Sequence, residues 1–233
     1  MGSEMCIRDR ARVLPYVMGW MWNGASDDFR LRGAKEKGAL LCADGESVIW
    51  AELEPSEENI AMCPASKIWR DKLTEVSVEF VERYRTGGIY FDYFSTHMNN
   101  CFNPNHGHAV AGGDYWARGV HDLFQQVRDS VHQVDSEAML CAEDLAEFCI
   151  DVLDAAYVGI TDDAPVWQAV YHDYIQVFGG MPWMEESRIP LSRQWLYGRI
   201  NQVPGSMGFP DAQPEQFQWY VDLLRCSHEF ARP

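Results

Sequence analysis

Two amphipathic helical stretches, each followed by a short apolar run that stops on acids, set the narrowest limit on what this chain can fold into. Residues 66–86 place Trp69, Leu73, Val76, Phe80 and Tyr84 at spacings of three and four, which is one face of a helix, with Ser66 placed to cap it. Gly87 and Gly88 end that helix and launch GIYFDYF at 88–94, a buried-strand pattern that stops on Asp92 beside Tyr93 and Phe94. Asp114 then opens a second helix with Trp116, Val120, Leu123, Val127 and Val131 on one stripe, and AMLCAED at 138–144 ends a second strand on Glu143 and Asp144. Strand, helix, strand in this order is the parallel βαβ unit. The expected architecture is an α/β chain of the (β/α)8 TIM-type barrel class, which averages roughly 30 residues per unit. Asp92 and Glu143 are 51 residues apart. The polar loop 95–113, rich in Asn, His and Gly, accounts for the excess of about twenty over one unit.

The rest of the chain is read around that unit. RVLPYVMGWMW at 12–22 reads as a buried strand entering an aromatic-rich loop. The two apolar runs of 39–53 flank Asp44-Gly45 and predict a β-hairpin inside an insertion at about 24–62. A short strand is expected at 153–158, a stronger one at 166–175 (VWQAVYHDYI), and a helix at about 214–230. A doubly wound open sheet is the competing fold, but no glycine-rich phosphate fingerprint follows any of these strands. MGSEMCIRDR at the start has no apolar core and does not read as a signal peptide. It resembles a translated sequencing-adapter scar, so residues 1–10 are set aside as a leader and 11–233 are taken as the catalytic domain.

The net charge of −16 argues against a nucleic-acid or anionic-membrane partner, since phosphate contacts need a basic patch. It disfavours a strongly anionic substrate as well, and a neutral one fits better. No apolar run approaches the roughly 18 residues needed to span a membrane. Seven cysteines without a CxxC pair read as buried free thiols, which favours a reducing, cytoplasmic setting. The sequence carries no signal of oligomeric state.

Two strand-end carboxylates with one helix between them point to paired-carboxylate chemistry on a sugar. A retaining glycosidase holds its two carboxyls roughly 5 to 5.5 Å apart, and adjacent parallel strands lie about 4.8 Å apart. On this reading Asp92 is the nucleophile and Glu143 the acid/base, its pKa raised by burial and neighbouring charge. Asn105, His106, His108, Glu147, Asp151, Tyr171 and His172 are candidates to hold sugar hydroxyls, and Trp20 or Trp22 to stack on a ring. His97, Cys101, His106 and His108 fall within twelve residues, and His106-Gly107-His108 matches the HxH of metal-dependent hydrolases. Those enzymes carry HxH at the end of their first barrel strand, whereas here it lies inside a polar loop. No metal and no cofactor are therefore expected. No GxSxG elbow is present for a serine nucleophile. A non-catalytic carbohydrate-binding barrel is the alternative from another class, and a metal-dependent hydrolase using the His-rich loop is a weaker one.

The string GIYFDYFSTHMNNCFNPNHGHAVAGGDYW, with CAEDLAEFCIDVLDAAY and VWQAVYHDYIQVFGG, resembles a bacterial family of glycoside-hydrolase-like barrels. It is more distantly similar to α-amylase-type barrels and to endo-α-N-acetylgalactosaminidases. Those families carry a nucleophilic Asp at the end of the fourth strand and an acid/base Glu at the end of the fifth. The resemblance implies those roles for Asp92 and Glu143, and implies a chain that runs from strand three onward. A third acid after the seventh strand has no clear match, Asp173 being nearest.

Overall fold

The computed structural model describes residues 12–50, 59–92, 99–157, 166–179 and 200–201, with positions 215, 218, 219, 221, 222 and 225. The chain is mixed α/β and divides into two compact units, Met1–Asp154 and Ala155–Pro233. In chain order the first unit holds β1 (Tyr16–Met18), β2 (Met21–Asn23), α1 (Asp27–Arg32), α2 (Ala34–Gly38), β3 (Ile49–Trp50), β4 (Asn59–Ala61), α3 (Lys67–Tyr84), β5 (Gly88–Asp92), α4 (Tyr115–His132) and β6 (Met139–Glu143). Short 3-10 turns lie at Pro104–His106 and Glu147–Cys149.

β1, β5 and β6 run parallel in that order, with Tyr16 opposite Tyr90 and Tyr90 opposite Cys141. Alternation along the strands sends Ile89 and Phe91 to one face. There the Phe91 ring meets Phe124 of α4 edge-on, with centroids 5.4 Å apart and both residues fully buried. The α4 stripe is the one its spacing predicts: Trp116, Val120, Leu123, Val127 and Val131 are all buried. Asp114 stands at the N-cap position, but its carboxylate takes the Arg118 guanidinium at 2.5 Å instead of a backbone amide.

α3 spans the expected residues but buries a different track. Trp69, Leu73, Ser77 and Val81 face inward, while Tyr84 is exposed. A strict four-residue step drifts around the helix, and Ser77 fits the core because its hydroxyl donates to the Leu73 carbonyl at 2.7 Å. Ser66 precedes α3, yet its hydroxyl donates backwards to the Cys63 carbonyl at 2.8 Å and caps no amide.

The run at 12–22 is two strands in two sheets. The Gly19 amide donates to the Asp92 carbonyl at 3.2 Å and closes the parallel sheet. The Trp20 carbonyl then accepts from Met62 at 2.9 Å, beside a three-stranded antiparallel sheet ordered β2-β4-β3. The turn at Asp44-Gly45 forms as expected, with Gly45 at φ 85°, the Cys42 amide donating to the Glu46 carbonyl at 2.8 Å, and Leu41 bridged to Ser47.

The second unit contains β7 (Ala155–Tyr157), α5 (Val166–Tyr171), β8 (Gln176–Gly179) and β9 (Ile200–Asn201). β7, β8 and β9 are parallel neighbours in that order. The expected strand at 166–175 is a helix followed by a turn, and the strand begins only at Gln176. Trp167 and Tyr171 lie one helical turn apart with ring centroids at 4.6 Å, a contact that a helix makes and an extended chain cannot. The described positions from 215 to 225 are helical and fall within the stretch expected at 214–230. Among the described residues, no helix is long and apolar enough to cross a membrane.

Candidate functional site

β5 ends on Asp92 and β6 ends on Glu143. The register pairs Tyr90 with Cys141 and Phe91 with Ala142, so the next step along each strand sets Asp92 beside Glu143. Period-two alternation puts both acids on the face opposite α4, together with Tyr90 and Cys141. Met18, opposite Asp92 on β1, shares that face. Two features fix this edge. Gly88 opens β5 at φ 145°, where a Cβ would lie 2.0 Å from the Met139 carbonyl oxygen, so only glycine lets β5 and β6 pair from their first residues. Asp144, directly after Glu143, has φ 60°, a left-handed backbone that a non-glycine residue holds at a cost of about 1–3 kcal/mol.

Asp92 is 2% exposed. The Glu143 carboxyl is pushed above the usual carboxylate range, first by burial and then by the Asp144 charge, while a hydrogen bond from the Tyr90 hydroxyl opposes the shift. One acid is thus buried and its neighbour is biased towards its protonated form, which is the asymmetry that acid-assisted displacement needs.

The remaining sequence candidates are dispersed. Trp20 and Trp22 are 3% and 7% exposed, and the Trp22 ring packs on Phe29 and Trp69 at 5.5 and 5.8 Å, so neither offers an open stacking face. Asp151 accepts from His121 at 3.1 Å, joining the loop after β6 to α4. Glu147 is exposed at the 3-10 turn Glu147–Cys149, and Asn105 is exposed at the other one, Pro104–His106. Tyr171 and His172 lie at the end of α5 in the second unit, where His172 is exposed and sits 3.0 Å from Asp173. His97 lies outside the described residues. Asp154 serves the fold instead. It takes both Arg128 nitrogens at 3.1 Å and the Leu140 amide at 2.7 Å, tying α4 to β6.

His106 and His108 meet two cysteines. Cys63 Sγ lies 3.4 Å from His108 Nε2, and Cys101 Sγ lies 3.4 Å from His106 Nδ1. The four ligand atoms all fall within 4.8 Å of one another. Cys63 comes from the turn before α3, 38 residues ahead of Cys101, and spacing within the loop gave no sign of it. The Cys101 thiol is brought down, chiefly by the Cys63 thiol beside it and then by His106, against burial, while Cys63 is driven up. Beside the cluster, a cavity of about 340 Å³ is walled by Arg70, His106, His108, Asp114, Tyr115 and Arg118 among others, and neither acid of the strand pair lines it.

The chain matches the family described as a domain of unknown function, DUF6259, over residues 5–183. The chain belongs to that family. It is 29% identical over 182 residues to a Bacteroides thetaiotaomicron protein named "Putative glycoside hydrolase", covering 73% of this chain and 26% of that one. Among solved structures it is similar to an α-N-acetylgalactosaminidase from Bifidobacterium bifidum, with TM-score 0.67 and 13% identity over 95% of this chain and 36% of that one. It is also similar to a noncanonic maltogenic α-amylase from Thermotoga neapolitana, with TM-score 0.62 and 11% identity over 97% of this chain and 57% of that one. The DUF6259 chain shares its mixed α/β fold with these two solved structures. It spans about a quarter of the Bacteroides relative.

Proposed function

We propose that this chain carries the catalytic pair of a retaining glycoside hydrolase of the (β/α)8 class, acting on a neutral glycan. The observation that carries the reading is the parallel register that ends β5 and β6 on Asp92 and Glu143, side by side on one face. Asp92 attacks the anomeric carbon as the bond to the leaving oxygen breaks, and Glu143 gives that oxygen its proton. Water then loses a proton to Glu143 and attacks the same carbon, releasing the Asp92 carboxylate and restoring both groups. The upward shift of the Glu143 pKa, set first by burial and then by the Asp144 charge, favours the protonated form that the first step uses. The names of the structural neighbours, an α-N-acetylgalactosaminidase and an α-amylase, put α-linked aryl glycosides first in a screen.

Asp92→Asn on an activated aryl glycoside, and Glu143→Gln on a glycoside with a poor, unactivated leaving group, are each expected to lower turnover by at least about a thousandfold while the far-ultraviolet circular dichroism stays unchanged. Glu143→Gln should be less impaired on substrates whose leaving group needs no proton. Near-normal rates in either variant would remove that residue from its role. Sugar binding without turnover in the parent chain would favour a carbohydrate-binding barrel.

A further inference from the structure

We propose that Cys63, Cys101, His106 and His108 form a closed, tetrahedral zinc site that pins the loop after β5 to the turn before α3. Two thiolates and two imidazoles are a full structural zinc set, with metal distances of about 2.3 Å to sulfur and 2.0–2.1 Å to nitrogen. A tetrahedron with those bond lengths has a sulfur-to-nitrogen edge of about 3.6 Å. Two of the four S···N separations, Cys63 to His108 and Cys101 to His106, are 3.4 Å, and all four donors fall within 4.8 Å of one another.

The surroundings are those of a metal site. The Nδ1–H of His108 donates to the Ala109 carbonyl at 2.8 Å, which leaves the Nε2 lone pair directed at Cys63. A ligating histidine is oriented in this way by a carbonyl behind it. The His108 ring is also stacked on Tyr115 at 4.0 Å, and the Tyr115 hydroxyl donates to the Asn99 carbonyl. The Ser66 amide and hydroxyl both donate to the Cys63 carbonyl, at 3.0 and 2.8 Å, and hold the turn that presents Cys63. His106 Nε2 is buried with no hydrogen-bond partner among the described residues. Gly119 of α4 makes room for the turn that presents Cys63, since a Cβ there would lie 2.8 Å from the Ala65 amide nitrogen.

Charge also favours a divalent ion. Zn²⁺ with two thiolates and two neutral imidazoles is neutral overall, so the complex suits a place where Cys63 and Cys101 are fully buried. Binding needs both sulfurs as thiolates, displaces any proton they still hold and changes no oxidation state. Soft thiolate ligands select zinc over magnesium or calcium. Four protein ligands leave no open position, so the ion acts as a cross-link in the fold and the proposal stands whether or not Asp92 and Glu143 are catalytic.

The test is metal analysis of the whole chain purified without chelator, followed by Co²⁺ substitution of the metal-free protein. One zinc per chain is expected, with tetrahedral cobalt bands and a thiolate-to-cobalt charge-transfer band. Cys101→Ser and His108→Asn should each raise the zinc dissociation constant by at least about 100-fold. Cys63→Ser should lose about half of the charge-transfer intensity, because one of two thiolates is gone. Cys42→Ser, at an exposed cysteine outside the cluster, should keep the metal. The cobalt spectrum of the parent chain decides the matter even if a ligand variant fails to fold. Absence of thiolate charge transfer, zinc retained in Cys101→Ser, or an intact mass showing a Cys63–Cys101 disulfide would overturn the proposal.

Discussion

Replacing Gly88 with alanine tests whether close pairing of β5 with β6 is what sets the two acids side by side. The added Cβ would lie 2.0 Å from the Met139 carbonyl oxygen and 2.6 and 2.7 Å from its nitrogen and carbonyl carbon. Ordinary contact begins at 3.4 Å, so relief takes about 1.4 Å of movement, and every clashing atom is backbone. That is more than a quarter of the roughly 4.8 Å between neighbouring strands. A non-glycine residue at φ 145° adds about 1–3 kcal/mol of backbone strain, and overpacking adds a similar amount, so the loss should be about 2–6 kcal/mol. Urea unfolding followed by circular dichroism and tryptophan fluorescence measures it. Gly112→Ala is the control, because a Cβ there meets nothing within 4 Å, and it should change stability by less than about 0.5 kcal/mol. A Gly88→Ala loss below about 1 kcal/mol would refute the argument that backbone approach at this point requires glycine.

Asp154→Ala strips the Leu140 amide of its acceptor and leaves Arg128 only the Val152 carbonyl, and should cost about 2–4 kcal/mol in urea unfolding. Asp154→Asn, which keeps an acceptor for that amide, should cost about half as much or less. Asp144→Asn should move the alkaline limb of kcat/KM to lower pH, because the Asp144 charge holds the Glu143 pKa up. Tyr90→Phe should move the limb the other way, since its hydrogen bond favours the ionised carboxylate. Because the folded pKa of Glu143 lies above its unfolded value, its contribution to stability is fully present below the unfolded pKa and is lost as pH rises through the folded one. Glu143→Gln should therefore be more stable than the parent at neutral pH, by a margin that shrinks on acidification. Comparing urea midpoints of the two proteins across that pH range checks it.

The βαβ core was legible because its signals are local. The α4 stripe recurs at helical spacing and is buried as read, and GIYFD and MLCAE are apolar runs that end in acids. The α3 face was legible only for its first two turns, where Trp69 and Leu73 are shared; beyond them Ser77 enters the core on the strength of a back-bonded hydroxyl, which hydrophobicity does not register. VWQAVY reads as a strand from its valines and aromatics, yet it is helical, the weak preference giving way to an aromatic pair one turn apart. The Cys/His cluster was half visible. The loop histidines and Cys101 stood out by their density, but Cys63 joins them only because the antiparallel sheet returns the chain to the start of α3. Trp20 and Trp22, read as stacking surfaces, are taken up by the core, since burial cannot be told from residue type alone.

As the proposed nucleophile, Asp92 should become covalently glycosylated during turnover. Mass spectrometry of the chain reacted with a fluorinated activated glycoside, which forms the glycosyl-enzyme but releases it slowly, reads this directly. The label is expected on the peptide containing Asp92, and it should be absent from Asp92→Asn. Label on another residue, or turnover with inversion of the anomeric centre, would contradict the assignment.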